Sequence, residues 1–272
     1  MKLQPGFNED ISNENYHNDR EYKSSSALKL ILKDPREYYR KYVLNEQDSM
    51  NKDSLNIGSY FHTRILEPHL LDKEYAIFTG KSRRGKEWEE FEASAEGKTI
   101  ITSSQKYLVD NMVEKFEQAS VKIGNADNEK EVLISSFFNG GKAEETLCGE
   151  IDGYKVKVRF DYRKEFEDFG SINDLKTTAG SVANKAEVQE ICEYWGYHLS
   201  AALYVDLVTQ VTGKSHDFYF VFSSKKDGEC RIFKASEAML ERGRKEYKEA
   251  IRLLKEAEAT NIYFQNKIEE LD

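Results

Sequence analysis

The sequence predicts an α/β fold of the α+β kind, with a helical front part and a sheet-forming core. Three observations lead there. Apolar residues recur at helical spacing over 24–120, change to strand-like patterning near Glu131, and return to helical spacing after Ser236. Asp152-Gly153 is a two-residue hairpin signal between two strand-like runs. Residues 154–161 alternate cleanly, with Tyr154, Val156, Val158 and Phe160 on one side and Lys155, Lys157, Arg159 and Asp161 on the other. At 272 residues, the chain is expected to form one domain over 24–272 behind a polar arm at 1–23.

The elements follow in order. Residues 1–23 hold no apolar period and read as the arm. Ser24, Ser25 and Ser26 offer caps to a helix carrying Leu28, Ile31 and Leu32. Pro35 opens a new helical start, with Tyr38, Tyr39 and Tyr42 behind it. Residues 45–54 are polar and loop-like. Gly58 and Ser59 open a helix over Tyr60 to Leu66 that stops before Pro68. A basic, glycine-punctuated loop at 79–87 precedes a short amphipathic segment with Trp88 and Phe91. Thr102 and Gln105 form a capping-box pattern for a helix to about Ala119.

The sheet-forming part, 131–235, starts with strand-like 131–138 and continues through 146–151, 154–161 and 171–177. A helical period runs from about Ala186 to Val211, with Gly196 inside it at a cost of roughly 1 kcal/mol relative to Ala. Strands at 217–224 and 230–233 flank the Asp227-Gly228 turn, and Ser236 caps a last helix over 236–259.

Composition narrows the function classes. Aromatic residues are 12% of the chain, which argues against disorder. No apolar run approaches the roughly 20 residues needed to cross a bilayer. The start, MKLQPGFNED, lacks the apolar core of a signal peptide, so a cytoplasmic protein is expected. Cys148, Cys192 and Cys230 are odd in number and far apart, which excludes a disulfide framework and any Cys-only zinc or iron–sulfur site. With 49 acidic against 40 basic residues, the net charge of −9 speaks against a broadly basic nucleic-acid-coating surface.

The chemistry concentrates in 150–176. Asp174 and Lys176 leave one face of a strand, about 7 Å apart, and Leu175 points the other way. If the strand ending at Asp161 pairs with it, two hard oxygen donors and one ammonium share a face. That set suits a divalent cation such as Mg²⁺, which takes carboxylates, a carbonyl and waters. Such a site hydrolyses phosphodiesters by activating water and neutralising developing charge. A D-x-K triplet alone is common, and its plainest reading is an exposed ion pair.

The wider pattern resembles the PD-(D/E)xK nuclease superfamily. The segments SALKLILKDPREYY (26–39), IGSYFHTRILEP (57–68), KSRRGKEWEEF (81–91), VKVRFDYR (156–163), INDLKTT (172–178) and YWGYHLSAALY (194–204) occur in that order. In this they look like the phage and prophage exonucleases of the RecE type (exonuclease VIII), related to the nuclease domain of RecB. The resemblance implies a restriction-endonuclease-like core, a mixed central sheet flanked by helices. It implies that His62, Asp161, Asp174 and the Leu175 backbone carbonyl bind Mg²⁺, for which Mn²⁺ substitutes, and that Lys176 is the catalytic lysine. Tyr204 matches the aromatic end of the family's helix motif. Ser200 stands where that motif has a glutamine, and serine is too short to replace a long amide reaching DNA.

Further implications are 5′-to-3′ digestion of linear duplex DNA ends, a homo-oligomeric ring and a single-strand annealing protein as partner. The alternatives are a weakened DNA-end-binding accessory protein on the same fold, and an endonuclease of the same superfamily. Among the remaining residues, Glu131 is a candidate further acid. Lys81, Arg83, Arg84 and Lys86 suit DNA-backbone contact between flexible Gly80 and Gly85. Tyr197 reads as core packing. An acidic exterior around a cationic lining would accommodate the negative net charge.

Overall fold

The alternating run at 154–161 becomes the first part of a long strand, Tyr154–Glu165, and the rest of the sheet assembles around it. The structure is a computed structural model and describes residues 2–46, 52–125 and 127–264. In chain order its elements are β1 (Gly6–Asn8), α1 (Asn13–Asn18), β2 (Lys23–Ser24), α2 (Ser25–Lys33), α3 (Pro35–Tyr38), α4 (Lys52–Leu66) and α5 (Leu71–Glu74). Then come β3 (Tyr75–Phe78), α6 (Lys86–Ser94), β4 (Thr99–Thr102), α7 (Ser103–Gln118), β5 (Ser120–Ile123), β6 (Lys130–Leu133), β7 (Lys142–Ile151) and β8 (Tyr154–Glu165). β9 (Phe169–Thr178), α8 (Lys185–Tyr194), α9 (Tyr197–Thr212), β10 (Ser215–Ser224), β11 (Cys230–Lys234) and α10 (Glu237–Thr260) complete it.

Among the described residues the main sheet has seven strands, in the order β1-β7-β8-β9-β10-β11, with β2 alongside β8. β7, β8 and β9 form an antiparallel meander, joined at its first turn by Asp152 and Gly153, both at positive φ. β10 lies parallel to β9, a connection that needs a crossover, here supplied by α8 and α9. One face of the sheet packs Val156, Val158, Phe160 and Phe218 against α2, α9 and α10. A second core packs Leu175 and Val221 with Phe61 of α4 and Met112 and Phe116 of α7. The fold is therefore a mixed sheet flanked by helices, as the resemblance implied. Each large apolar side chain buried here contributes roughly 1.5–3 kcal/mol.

Four expectations change. Residues 1–23 are not a loose arm: β1 pairs with β7, β2 pairs with β8, and Leu3, Tyr16 and Tyr22 are buried. The cause lies on the charged side of β8. Lys157 Nζ donates to the Tyr16 and Asp19 carbonyls at the end of α1, and Arg159 donates to the Ile11 carbonyl and Asn13 Oδ1. Lys157 thus sits at the C-terminus of α1, where a cation is favourable, and Arg159 holds the segment that leads into the helix, so a face that reads as solvated is covered instead. The helical period at 186–211 is also two helices. Gly196 sits between them at φ +61, and a Cβ there would lie 2.9 Å from Lys29 Cδ. Residues 131–138 split into the end of β6 and a 3-10 turn, Ile134–Phe138. Of the expected loop at 45–54, residues 47–51 lie outside the described residues, and α4 has begun by Lys52.

Candidate active site

The β8–β9 ladder runs from Glu165↔Gly170 to Tyr162↔Asn173 and ends there. One residue further stand Asp161 and Asp174. Beyond them β9 stays with β10, while β8 takes β2 as its neighbour. The sheet thus forks, and a fork strands backbone polar groups that a ladder would have paired. Asp161 Oδ2 takes one of them, accepting the Leu175 N–H at 2.7 Å. The N–H and C=O of one strand residue point the same way, so the Leu175 carbonyl also faces the fork. Lys176 Nζ lies 3.5 Å from it, and His62 hydrogen-bonds it.

Helix α4 brings His62. Ile57, Phe61 and Ile65 recur at i, i+4 and i+8 and face the second core. His62 is one residue past Phe61, about 100° round the helix, and so lies at the edge of that stripe. Gly58, one turn earlier, lets the helix pass close to the end of β9: a Cβ there would sit 3.2 Å from Thr177 Oγ1. His62 Nδ1 comes to 3.8 Å from Asp161 Oδ2.

A further carboxylate joins them. Glu144 lies on β7 between the pairs Ala143↔Tyr162 and Glu145↔Phe160, at φ +49. That conformation is uncommon outside glycine and concentrates at functional positions. His62, Glu144 and Asp161 each offer a ligand atom within 4.8 Å of the others. The neighbouring Glu145 is buried on Arg163 at 2.6 Å and plays no part. Asp174 faces Lys176, Oδ2 to Nζ at 2.6 Å. Tyr197 packs against the core on Phe220 and Phe222, at 6.0 and 6.1 Å, as expected, and also turns its ring to that lysine, with Nζ 5.5 Å from the centroid. His62, Glu144, Asp161 and Tyr197 open on a cleft of about 660 Å³, also lined by Glu67 and Trp195.

The electrostatics are those of crowded, desolvated acids. Burial pushes the Glu144 carboxyl up to about 8, with Asp161 adding. Burial raises Asp161 against the pull of Lys176 and the Leu175 amide. Burial carries Asp174 to about 6 despite Lys176. Burial would lower the Lys176 ammonium, but Asp174 and Asp161 overcome it and hold it above the usual lysine value. Burial and Lys176 together bring His62 down to about 4, so its imidazole is neutral and free to donate a lone pair. Carboxylate and carbonyl oxygens with one imidazole suit a Mg²⁺- or Mn²⁺-type ion, whose charge would relieve the crowding.

The fork therefore gathers His62, Asp161, Asp174, Leu175 and Lys176 and adds Glu144. Sequence reading missed Glu144 because nothing in Ala143-Glu144-Glu145 separates the acid at the kink from the one beside it. Glu131 is not brought here. It is exposed on β6 in a separate two-stranded sheet, where it accepts from Ser120 Oγ. Tyr204 packs its ring on Phe160 and Phe218 at 5.6 and 6.2 Å, and its hydroxyl bonds the Ser25 side chain. Ser200 is half-buried on α9 between Tyr197 and Tyr204. Lys81, Arg83, Arg84 and Lys86 are exposed where β3 passes to α6, and none of them lines the cleft. Trp88 anchors the loop: Arg83 Cζ lies 5.8 Å over its ring, which meets Phe78 edge-on at 5.0 Å.

The model of a family described as a PDDEXK-like domain of unknown function (DUF3799) matches residues 24–263. Among solved structures, a protein from Eubacterium rectale provisionally named an exonuclease matches with a TM-score of 0.64 at 17% identity, over 94% of this chain and 89% of that one. It shares the fold. The crystal structure of SSO0001 matches with a TM-score of 0.30 at 12% identity, over 84% of this chain and 86% of that one, and carries no argument. No curated protein matches.

Proposed function

The chain belongs to the PDDEXK-like family DUF3799, and on that premise we propose that it is a metal-dependent nuclease hydrolysing phosphodiester bonds of DNA, acting from the ends of linear duplexes. The observation that carries this reading is the strand fork. There Asp161 and the Leu175 carbonyl meet His62 and Glu144 beside the Asp174–Lys176 pair.

His62, Glu144, Asp161 and the Leu175 carbonyl would hold the cation, with Asp174 completing the acidic set. When bound, a divalent cation supplies an activated water and charge neutralisation at the phosphate. Lys176, kept protonated by Asp174 and Asp161, orients the attacking oxygen and meets charge as it develops. Tyr197 covers the lysine and limits its contact with solvent. Digestion in the 5′-to-3′ sense, a homo-oligomeric ring and cooperation with a single-strand annealing protein extend the proposal, and rest on the sequence resemblance alone.

The test is nucleotide release from linear duplex DNA with Mg²⁺ or Mn²⁺, set against a covalently closed circle. Release from the linear form with the circle spared supports the proposal. Cutting of the circle gives an endonuclease of the same superfamily. No hydrolysis with either metal sinks the enzyme reading and leaves a DNA-end-binding protein. End-labelled substrates read the polarity.

A further inference from the structure

The break between α8 and α9 places two large aromatic side chains in solvent beside the cleft. Tyr194 is 69% and Trp195 54% exposed, and their rings meet edge-on at 5.0 Å. Trp195 lines the same cleft as His62, Glu144 and Asp161. Their counterparts come from one face of α2, where Lys29 and Lys33 are spaced i, i+4. Lys33 Nζ lies 5.1 Å over the Tyr194 ring. Lys29 Nζ lies 5.6 Å over the Tyr197 ring, which Lys176 also approaches, at 5.5 Å. Cations and rings are therefore interspersed from the candidate catalytic lysine outward: Lys176, Tyr197, Lys29, then Lys33, Tyr194 and Trp195.

Two facts separate this run from ordinary surface. Neither Lys29 nor Lys33 forms an ion pair with a described carboxylate, in a chain with nine more acidic than basic residues. Lys29 is half-buried, and burial with Lys176 nearby brings its ammonium down to about 8. Burial and Lys176 outweigh the attraction of Asp174, so this ammonium is costly to keep, and an anion visiting it would offset the cost. The Lys29 stem also packs close to Gly196, where φ is +61 and a Cβ would come 2.9 Å from Lys29 Cδ.

We propose that this run of interspersed lysines and aromatic rings is a docking track for single-stranded DNA, holding the strand next to the cleft by phosphate contact to Lys29 and Lys33 and by base stacking on Trp195. Sequence-tolerant single-strand binding needs these two components together, a cationic path for the backbone and π-faces for the bases. The track rests on the nuclease reading for its purpose, because a strand unpaired from a duplex end is what such a cleft admits. Its binding, however, is measurable without hydrolysis.

The probe is an oligothymidylate of about a dozen nucleotides, mixed with the full chain in EDTA so that nothing is cut, and compared with an abasic strand of equal length. Trp88 and Trp195 are the two tryptophans, so a Trp88→Phe background makes fluorescence report Trp195. The track predicts quenching by oligothymidylate and little by the abasic strand. Trp195→Ala is expected to weaken oligothymidylate binding about tenfold and abasic binding less than about twofold. The double variant Lys29→Gln/Lys33→Gln weakens both strands alike and flattens the salt dependence. Equal affinity for the two strands, or no quenching of Trp195 at saturation, overturns the track. Hydrolysis of linear duplex in Mg²⁺ is scored separately. A chain that cuts but does not quench loses the track alone, and one that quenches but does not cut loses the nuclease reading alone.

Discussion

Lys176 Nζ stands 2.6 Å from Asp174 Oδ2 and 3.8 Å from Asp161 Oδ2, so one ammonium bridges the acids at the point where two strands diverge. Removing either end of this pair dismantles the proposed chemistry. Lys176→Ala and Asp174→Asn are each expected to reduce nucleotide release from linear duplex by about 10²–10⁴-fold. Steady-state rates at saturating Mg²⁺ check this, with circular dichroism to confirm folding. Wild-type rates in both variants sink the assignment.

Glu144 and Glu131 make opposite predictions. Glu144 shares a ligand cluster with His62 and Asp161, whereas Glu131 lies on β6 in a separate small sheet. Glu144→Gln is expected to raise the Mg²⁺ concentration needed for half-maximal activity by about 10–100-fold. Glu131→Gln shifts it less than about twofold. A Mg²⁺ titration of the rate settles the comparison, and reversed effects would move the site.

Stability without metal should fall as pH rises through the range in which Glu144 ionises. Its folded pKa, about 8, lies above the unfolded value of 4.5. The folded state therefore binds the extra proton, and the stability this gives is complete below 4.5 and lost as pH climbs toward 8. Asp174, at about 6, acts in the same sense at lower pH. His62 acts oppositely: with its pKa lowered from 6.5 to about 4, it costs stability as pH falls through that interval. Between about pH 6.5 and 8 Glu144 is ionising in the folded state, and Asp161, raised by burial, acts in the same sense. The melting temperature in EDTA should decline over this window, Glu144→Gln should flatten the decline, and added Mg²⁺ should stabilise more at pH 8 than at 6.5. An upward slope in EDTA would contradict the crowded-acid picture.

Gly196→Ala tests the helix break. At φ +61 a side chain costs roughly 1–2 kcal/mol, and the new Cβ would meet Lys29 Cδ at 2.9 Å. The flexible lysine stem can yield, so the expected loss is about 1–2 kcal/mol, read as a lower urea midpoint with an unchanged slope. A stabilised variant would mean that the two helices prefer to be continuous.

Much of the core was legible because its signals are local. The period-2 run at 154–161, the Asp152-Gly153 turn, the capping box at Thr102 and Gln105 and the Pro35 helix start all recur in the structure. Each depends on residues within a few positions of one another. The helix break at Gly196 was not legible, since a glycine in an apolar helical period reads as a tolerated interruption until the Lys29 stem beside it is known. The docking of 1–23 was hidden for a related reason: Lys157 and Arg159 look like a solvated strand face, and only the end of α1 over Lys157 and the segment leading into α1 over Arg159 turn them into covered donors.

The sequence alone determined the chemical set: two acids thirteen residues apart, a lysine two beyond the second, and a histidine on an amphipathic helix. Their spacing on strands placed Asp174 and Lys176 on one face without further information. Tertiary structure decided where these groups meet and what joins them. The fork between β8 and β9 assigns Asp161 to the Leu175 amide, opens the Leu175 carbonyl, and turns Glu144 inward from a third strand. The reason is physical. A strand pattern specifies which face a side chain leaves, but where a ladder stops depends on competition for its edge. Here β2, from the first residues of the chain, holds β8 where β9 has left it.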